Sequence, residues 1–262
     1  MSTLENAISV LRLFSSERHE LTVTETSQLL IMPKSSVGRL LSNMRDVGLL
    51  DGGGRQPRYR IGPLFFEISQ LYRRRSSLIE QAEAVIIDLC RETGHTGYVS
   101  ILQGTEILVM RVRPGSHALR VVTPPGQRLP ACETAIGRSL LARLTDDQVR
   151  ALYPKGLSSS TPNSPQSVNE LLKSLATVRR RGWAESLEEA VPGVGSTSIA
   201  VEDSVDLEMV GLCLTYSASV QRSKRNEMAQ LLVKAGRTLG LQIGDPFWTA
   251  LADGKATNCK SL

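Results

Sequence analysis

The sequence predicts an α+β protein of two domains, a small helical one followed by a larger one that mixes strands with helices. Two observations support this prediction. In residues 1–75, apolar side chains recur every three or four positions, which is the spacing of amphipathic helices. From residue 97 onward, short segments typical of strands alternate with helical ones. A chain of 262 residues is long enough to bury two hydrophobic cores.

The first domain begins with two short helices. Residues 3–15 place five apolar side chains on one helical face: Leu4, Ala7, Ile8, Leu11 and Phe14. A second helix is predicted over Thr22–Leu30, because Thr22 and Glu25 have the spacing of a capping box. Ile31 and Met32 then leave room only for a tight turn before Pro33.

A third helix is predicted from Pro33 to Val47. Proline is tolerated at a first helical position, and Gly48 ends the helix. Its apolar stripe consists of Val37, Leu40, Leu41, Met44 and Val47. The opposite face carries hydrogen-bond donors, namely Lys34, Ser35, Ser36, Arg39, Asn43 and Arg45. Two short helices joined by a tight turn form a helix-turn-helix, whose second helix enters the major groove of DNA.

A hairpin follows, which would make this domain a winged helix-turn-helix. Leu49-Leu50 and Tyr59-Arg60-Ile61 are predicted as its arms, with glycines in the turn. Arg55 and Arg58 would meet phosphates from its tip, whereas Ser35, Ser36 and Arg39 would lie near base edges. The alternative is that the wing arginines only keep an exposed strand edge soluble.

The predicted domain boundary falls near Arg75-Ser76. The winged domain would cover residues 1–62 and a linker helix residues 63–76, followed by a longer amphipathic helix over Ser77–Thr93. The apolar faces of these two helices favour self-association, as a homodimer or homotetramer, because such surface must be covered.

The second domain is predicted over residues 77–246, with a C-terminal tail at 247–262. Its strands are placed at 97–102, 106–112, 119–122, 196–201 and 208–215. Its helices are placed at 131–144, from Thr145 onward, at 168–181 and at 222–239. Strands flanked by helices indicate a mixed sensing domain rather than a helical bundle.

Composition excludes several classes of protein. No apolar run approaches the length that spans a bilayer, and Glu5 stands where a signal peptide would be basic, so we expect no membrane partner and a cytoplasmic location. Residues 1–75 hold 11 Lys and Arg against 7 Asp and Glu, so +4 of the net charge of +5 lies there. Only the first domain is therefore expected to meet a polyanion. The scattered cysteines and histidines indicate neither a disulfide framework nor a zinc site.

Five segments in this order resemble the IclR family of bacterial transcription regulators over nearly the whole chain. They are K-S-S-V-G-R-L-L from Lys34, L-P-A-C-E-T-A-I-G-R-S-L-L-A from Leu129, V-R-R-R-G-W-A from Val178, E-E-A-V-P-G-V-G-S-T-S-I-A from Glu188 and G-L-C-L-T-Y-S from Gly211. The resemblance implies a GAF-like effector-binding domain, dimers or tetramers, and binding to a palindromic double-stranded operator. It also implies a small-molecule effector, often a carboxylate. We expect the regulator to be a repressor, although the sequence leaves activation open.

The resemblance also points to the residues that would hold the effector. They are Cys132, Ala135, Ile136, Ser186, Glu189, Ser196, Thr215 and Ser217. Backbone groups are implied at Ala135-Ile136, and a loop at Ser186 to Glu189. This chain departs from the family pattern at Cys132 and at Ile136, which is bulkier than the small residues common there and would reshape the cavity.

The alternative function is a small-molecule-metabolising enzyme with a basic N-terminal interaction module. Cys132 with Glu133 and His95 could be a nucleophile with a base, and Glu188-Glu189 could bind a metal. We prefer a small buried thiol for the first and a solvated loop or helix cap for the second, because neither a nearby base nor a set of metal ligands accompanies them. We therefore expect a regulator with no catalytic residue, no cofactor and no metal.

Overall fold

The computed structural model describes residues 2–15, 17–52, 57–75, 77–117, 123–157 and 160–252. The chain divides into two compact units, residues 1–76 and 77–262. Arg55, Cys259 and the strand predicted over 119–122 lie outside the described residues.

Three helices build the first unit: α1 (Thr3–Leu11), α2 (Val23–Leu30) and α3 (Lys34–Asp46). The predicted capping box of α2 is confirmed, because Thr22 accepts from the Glu25 amide while Glu25 accepts from the Thr22 amide. The prediction that α1 reaches residue 15 is wrong. The helix ends at Arg12. The Leu13 and Phe14 amides then donate to the carbonyls three residues earlier, at Val10 and Leu11, and form a turn.

The turn between α2 and α3 depends on a left-handed residue. Ile31 caps α2 with φ of 54°, and its side chain is 92% exposed. Ser27 holds the turn closed from both sides, since its carbonyl accepts the Met32 amide at 3.1 Å and its hydroxyl donates to the Met32 carbonyl at 2.6 Å. This geometry fixes where α3 begins.

The predicted wing forms, but its second arm is anchored differently from the prediction. β1 (Leu50–Asp51) pairs antiparallel with β2 (Arg60–Ile61). Tyr59, predicted to continue the wing, forms a bridge to Leu21 instead, with both backbone bonds at 2.8–2.9 Å. Tyr59 is buried, whereas Ile61, predicted to share its half-buried face, is 43% exposed. A helix α4 (Leu64–Arg75) follows.

The second unit is a six-stranded antiparallel sheet with helices on both faces. Its strands are β3 (Thr96–Gln103), β4 (Glu106–Arg113), β5 (Arg128–Pro130), β6 (Ala184–Leu187), β7 (Val194–Glu202) and β8 (Met209–Ser217). Its helices are α5 (Ser77–Thr93), α6 (Ala135–Leu141), α7 (Asp146–Leu152), α8 (Val168–Arg181), α9 (Arg222–Gln242) and α10 (Pro246–Ala252). The strand order is β5-β4-β3-β8-β7-β6.

Alternation along the central strands divides the core into two layers. Tyr98 and Cys213 face the layer that holds α6 and α8, whereas Val99, Leu212 and Leu214 face the layer of α5, α9 and α10. The predicted α5 is confirmed at both ends, and the predicted mixed fold is confirmed. The sheet thus has no solvent-facing side along its centre.

The helix predicted over 131–144 is shorter, because residues 131–134 form a turn that packs against it. Thr134 caps α6 by accepting the Gly137 amide at 3.1 Å. A Cβ at Gly137 would lie 2.2 Å from the Ala131 carbonyl oxygen, so only glycine permits this approach. The close packing buries α6 along its whole length.

The predicted tail from residue 247 is contradicted over its first residues. α10 spans Pro246–Ala252, and the Trp248 side chain is completely buried. Its indole Nε1 donates to the Ala200 carbonyl at 2.9 Å. The second unit therefore continues at least to Ala252.

No helix in the described part of the chain is both long and apolar enough to cross a membrane. Within the same residues, no group of three or more His, Cys, Asp or Glu side chains is arranged to hold a metal ion.

A half-buried histidine predicts a pH dependence of stability. The His95 ring lies 4.7 Å from that of His117, and burial, reinforced by His117, lowers the pKa of His95. The unfolded chain then binds this proton at a higher pH, near 6.5, than the folded chain does. Stability is present above that pH and falls as the pH drops from about 7 to 5. Melting temperatures measured across this range should fall less steeply for His95→Gln; parallel profiles would contradict the assignment.

Candidate functional site

The polar face of α3 is exposed as the sequence predicts. Lys34, Ser35, Ser36, Arg39 and Asn43 are all exposed, while Val37, Leu40, Leu41 and Met44 on the opposite face are buried. Arg39 makes no hydrogen bond or ion pair with any described residue, so its guanidinium is available to a partner. Arg45, also predicted on this face, is engaged internally with Asp46 at 2.7 Å and Ser42 at 3.1 Å.

The wing arginines are less free than the sequence alone indicates. Arg58 pairs with Glu20 at 3.1 Å, and Arg60 donates to the same carboxylate. These two guanidinium groups lower the pKa of Glu20. The Arg58 side chain is still 70% exposed, so a phosphate contact remains open to it. The predicted contact of Arg55 lies outside the described residues.

A cavity of about 80 Å³ lies in the second unit, between the sheet and the start of α6. One part of its wall is polar and consists of Tyr98, Ser100, Thr123, Thr134, Ser186, Ser196 and Thr215. The rest consists of Ile107, Val109, Leu129, Ile136, Ala190, Val191, Val194 and Cys213. A wall that is largely apolar with a few converging hydroxyls is typical of a small-molecule site.

Four of the eight predicted effector residues line this cavity: Ile136, Ser186, Ser196 and Thr215. Ser186 belongs to β6 rather than to the predicted loop. Cys132 lies instead in a surface depression with Tyr153, and Ala135 is fully buried away from the lining. Ser217, at the end of β8, is exposed, with its Oγ 2.8 Å from that of Ser219. The effector roles of all eight remain predictions.

Glu189 is near the cavity but has a different partner. Its carboxylate forms a bidentate pair with the buried Arg138, whose second nitrogen also donates to the Glu185 carbonyl. The hydroxyls of Thr161 and Ser164 both donate to the Glu189 carbonyl at 2.8 Å. These bonds fix the segment that carries Ala190 and Val191 over the cavity. They also occupy the carboxylate that a metal would need.

Most of the cavity hydroxyls already have protein partners. Ser186 donates to the Glu133 carbonyl at 2.9 Å, and Thr134 donates to the Pro130 carbonyl. The Tyr98 hydroxyl accepts the Thr123 amide at 3.2 Å. Burial raises the pKa of Cys213 to about 12, so this thiol is neutral. Among the described lining residues there is no lysine, arginine or histidine.

Tyr98 and Ser100 are lining residues that sequence reasoning missed. Their spacing of two on a strand was the available signal, since it places both on the face that also carries Cys213 across the β3–β8 pair. That spacing does not reveal that this face borders a cavity.

The arrangement around Cys132 does not form a nucleophile–base pair. Burial, reinforced by the Glu133 carboxylate, raises the pKa of this thiol, and the opposing effects of Tyr153 and Arg138 are smaller. His95 instead faces His117 and the Tyr216 ring. A thiol that stays neutral and has no general base to take its proton is a poor nucleophile.

Comparison with known proteins gives a consistent assignment. A family model for the C-terminal domain of IclR bacterial transcriptional regulators matches residues 70–243, and one for the IclR helix-turn-helix domain matches residues 3–52. The chain is 28% identical over 248 residues to the HTH-type transcriptional regulator XynR of Escherichia coli, covering 94% of this chain and 98% of XynR. It is also 28% identical to KdgR of the same organism, covering 92% and 94%.

Solved structures share the fold. An IclR-type regulator from Silicibacter sp. TM1040 superposes with a TM-score of 0.78 at 24% identity, covering 94% of this chain and 99% of that one. An IclR homologue from Microbacterium hydrocarbonoxydans, solved in complex with 4-hydroxybenzoate, gives 0.77 at 18% identity, covering 93% and 99%. The relatives are named as regulators, and the enzyme alternative finds no support among them. This chain belongs to the IclR family and is a ligand-responsive, DNA-binding transcriptional regulator.

Proposed function

We propose that this regulator is a repressor that binds a palindromic operator as a homodimer or homotetramer, without catalysing a reaction, and that a small molecule in the cavity controls the binding. The observation that carries the proposal is the exposed face of α3, where Arg39 has no partner among the described residues while the opposite face is buried. Such a helix can enter a groove without giving up internal contacts. Access to the chromosome supports the cytoplasmic location expected from the sequence.

In this proposal the exposed residues of α3 and of the wing divide into base contacts and phosphate contacts. Arg39 donates two hydrogen bonds to the edge of a guanine, which discriminates that base pair from others. Ser35 and Ser36, exposed in the first turn of the helix, also lie near base edges, and Asn43 contacts the same groove one turn further on. Lys34 and Arg58 contact phosphates and set affinity and register rather than sequence.

Association of two chains would place two copies of α3 about 34 Å apart, in successive major grooves. Exposed apolar side chains in the first unit support self-association, among them Leu4 and Ile8 on α1 and Phe66 and Ile68 on α4. The effector must bind two arrangements of this assembly with different affinity in order to shift operator occupancy. The segment that Arg138 and Glu189 fix over the cavity supports such a difference, because its residues Ala190 and Val191 line the cavity.

Replacing Arg39 by alanine should weaken specific binding by about 1–3 kcal/mol, because a bidentate base contact is lost. The operator is first selected from random duplexes with the full-length protein. Affinity for that operator and for a scrambled duplex is then measured by fluorescence anisotropy at one salt concentration. The loss should appear on the operator and be small on the scrambled duplex.

Arg45→Ala is the matched control, since Arg45 lies on the same helix but is bound to Asp46 and Ser42. Its replacement should change neither affinity markedly. Arg58→Ala should weaken both duplexes to a similar degree, as expected for a phosphate contact. Equal losses on the two duplexes for Arg39→Ala would contradict the base contact.

A further inference from the structure

We infer that the loop between β7 and β8 of one chain inserts into a basic groove beside α9 of a second copy, which makes the same contact in return. The inference rests on the self-association in the proposed function and assigns to it a surface of the second unit. Two features of that unit carry it. One is the β7–β8 tip, residues 203–208, and the other is a surface groove that we call the α9 groove.

The β7–β8 tip presents two large apolar side chains to solvent. Val205 is 85% exposed and Leu207 is 73% exposed. Two aliphatic side chains exposed within three residues form a concentrated apolar surface, of the kind that meets a partner.

Hydrogen bonds within the protein hold this tip in one conformation. The Asp203 carboxylate accepts the Val205 amide at 2.8 Å and the Asp206 amide at 3.2 Å. The Ser204 hydroxyl donates to the Ile243 carbonyl at 3.1 Å, which ties the tip to the end of α9. A loop that is already ordered loses little entropy when it binds, so the tip is suited to insert into a partner surface.

The tip is also acidic. Residues 202–208 contain four carboxylates, on Glu202, Asp203, Asp206 and Glu208, and no lysine or arginine occurs between residues 202 and 221. The Asp206 side chain is exposed and forms no ion pair with a described residue. A surface that receives the tip should therefore be basic and should offer apolar contacts.

The α9 groove has this combination of groups. It lies between the end of α8 and α9 and is lined by Arg181, Trp183, Gln230, Val233, Lys234 and Arg237. The Arg181 guanidinium lies 3.4 Å from the centre of the Trp183 ring and donates to the Trp183 carbonyl at 2.7 Å, which fixes the apolar floor. Lys234 and Arg237 are exposed, and neither forms an ion pair with a described residue.

The residues around the groove do not reverse its charge. Glu185 faces Arg181 but is already paired with Arg225 at 3.1 Å. The side chains of residues 253–262, which follow α10, include two lysines and one aspartate and so add no net negative charge. The groove therefore suits an acidic partner.

The tip and the groove lie at positions along α9 that permit a two-fold pairing. Lys234 and Arg237 share a helical stripe with Leu241, which is about half exposed, at spacings of three and four. The tip is bonded at Ile243, nine residues and about 14 Å beyond Lys234 along the helix. A two-fold axis midway between these positions brings each tip to the groove of the other chain, so the contact forms twice in one dimer.

Complementary chemistry favours a second copy of this chain over other partners. The tip supplies carboxylates and aliphatic side chains, while the groove supplies cations and the Trp183 ring, so each offers what the other lacks. Tryptophan and arginine are also the residues that most often dominate the energy of an interface. DNA would be attracted to the groove but repelled by the acidic tip at the end of the same helix.

Sedimentation equilibrium of the full-length protein without DNA tests the contact. We expect Lys234→Glu and Asp206→Lys each to weaken one step of self-association by about tenfold or more, because each reversal acts at two symmetric contacts. Lys224→Glu is the matched control, since Lys224 is on the same helix but lies outside the groove and pairs with Glu227 at 2.9 Å. This control should change the association constant by less than about twofold.

A mixture of the two variants gives the decisive result. When a Lys234→Glu chain pairs with an Asp206→Lys chain, one tip–groove contact keeps its natural charges and the other has both charges reversed. Both contacts are then attractive, so the equimolar mixture should associate within about threefold of the unaltered protein, although neither variant does so alone. A mixture that associates no better than its separate components would overturn the inference.

Leu207 tests the apolar part of the contact. Its φ of 53° is left-handed, a conformation that asparagine adopts more readily than leucine. Leu207→Asn should therefore keep its fold by circular dichroism and yet weaken association by about fivefold or more. Ile31→Asn is the matched control, because Ile31 has a φ of 54° and an exposed side chain but belongs to the first unit. Unchanged association of Leu207→Asn would reject the tip as the contact.

Failure of this inference is distinguishable from failure of the proposed function. If the unaltered protein associates and the tip and groove variants associate equally well, only the tip–groove contact is rejected. If the unaltered protein stays monomeric up to about 100 µM, the homodimer or homotetramer of the proposed function is rejected as well. Operator selection and the Arg39→Ala comparison decide DNA binding independently.

Discussion

Trp248→Ala is expected to lower the free energy of unfolding by about 3–5 kcal/mol, the range for removing a large aromatic side chain from a core. The indole is completely buried and its Nε1 donates to the Ala200 carbonyl. The indole ring packs against α9 at two glycines that lie one helical turn apart. A Cβ at Gly236 or Gly240 would lie 2.7 or 2.5 Å from an indole atom, so α9 offers no side chain at these two positions to fill the cavity that the substitution leaves.

Urea unfolding followed by circular dichroism measures this effect without relying on tryptophan fluorescence. Trp183→Ala is the matched control, because Trp183 is only half-buried and stacks against the Arg181 guanidinium at 3.4 Å. Its replacement should cost clearly less. If Trp248→Ala costs no more than Trp183→Ala, α10 does not belong to the core.

Arg138→Ala should also cost about 3–5 kcal/mol, because removing one member of a buried ion pair leaves the other charge unpaired. Glu189 would then be mostly buried without its cation, and the Glu185 carbonyl would lose its donor. We also expect ligand affinity to fall, since this pair fixes the segment carrying Ala190 and Val191.

A double-mutant cycle separates the interaction energy of the ion pair from the effect of the lost side-chain volume. Arg138→Met with Glu189→Leu removes both charges, and the double variant should recover much of the stability lost in Arg138→Met alone. The same cycle on Arg128 and Glu106, an ion pair about half exposed on both sides, should give a coupling below about 1 kcal/mol. Similar coupling in the two cycles would mean that burial adds nothing at Arg138.

Local signals predicted the helices well. The predicted capping box of Thr22 with Glu25 is present, Thr145 caps α7 as predicted, and Gly182 ends α8 in the left-handed conformation. The missed elements, β5, β6 and α10, are short, with three, four and seven residues. The start of α6 was misplaced because Gly137 packs against the preceding turn, a contact that helical periodicity does not encode.

Of the two candidate sites, the exposed face of α3 was predictable from the sequence and the cavity only in part. Exposure of the polar face of α3 follows from a spacing of three and four, which the sequence displays directly. The family resemblance pointed to Ile136, Ser186, Ser196 and Thr215, but alternation alone does not show which sheet face borders a cavity, so Tyr98 and Ser100 were missed. The sequence also did not show that the Glu189 carboxylate is paired with Arg138, which lies 51 positions earlier in the chain.

The strand order has a consequence for synthesis on the ribosome. β3, β4 and β5 form one local meander and β6, β7 and β8 another, while the β3–β8 seam joins Thr96 to Thr215, more than a hundred residues later. Until β8 emerges, the nascent first half has an unpaired β3 edge, which is open to pairing with other chains. Because Tyr98 and Ser100 lie on one side of that seam and Cys213 and Thr215 on the other, the cavity is completed only when the seam closes.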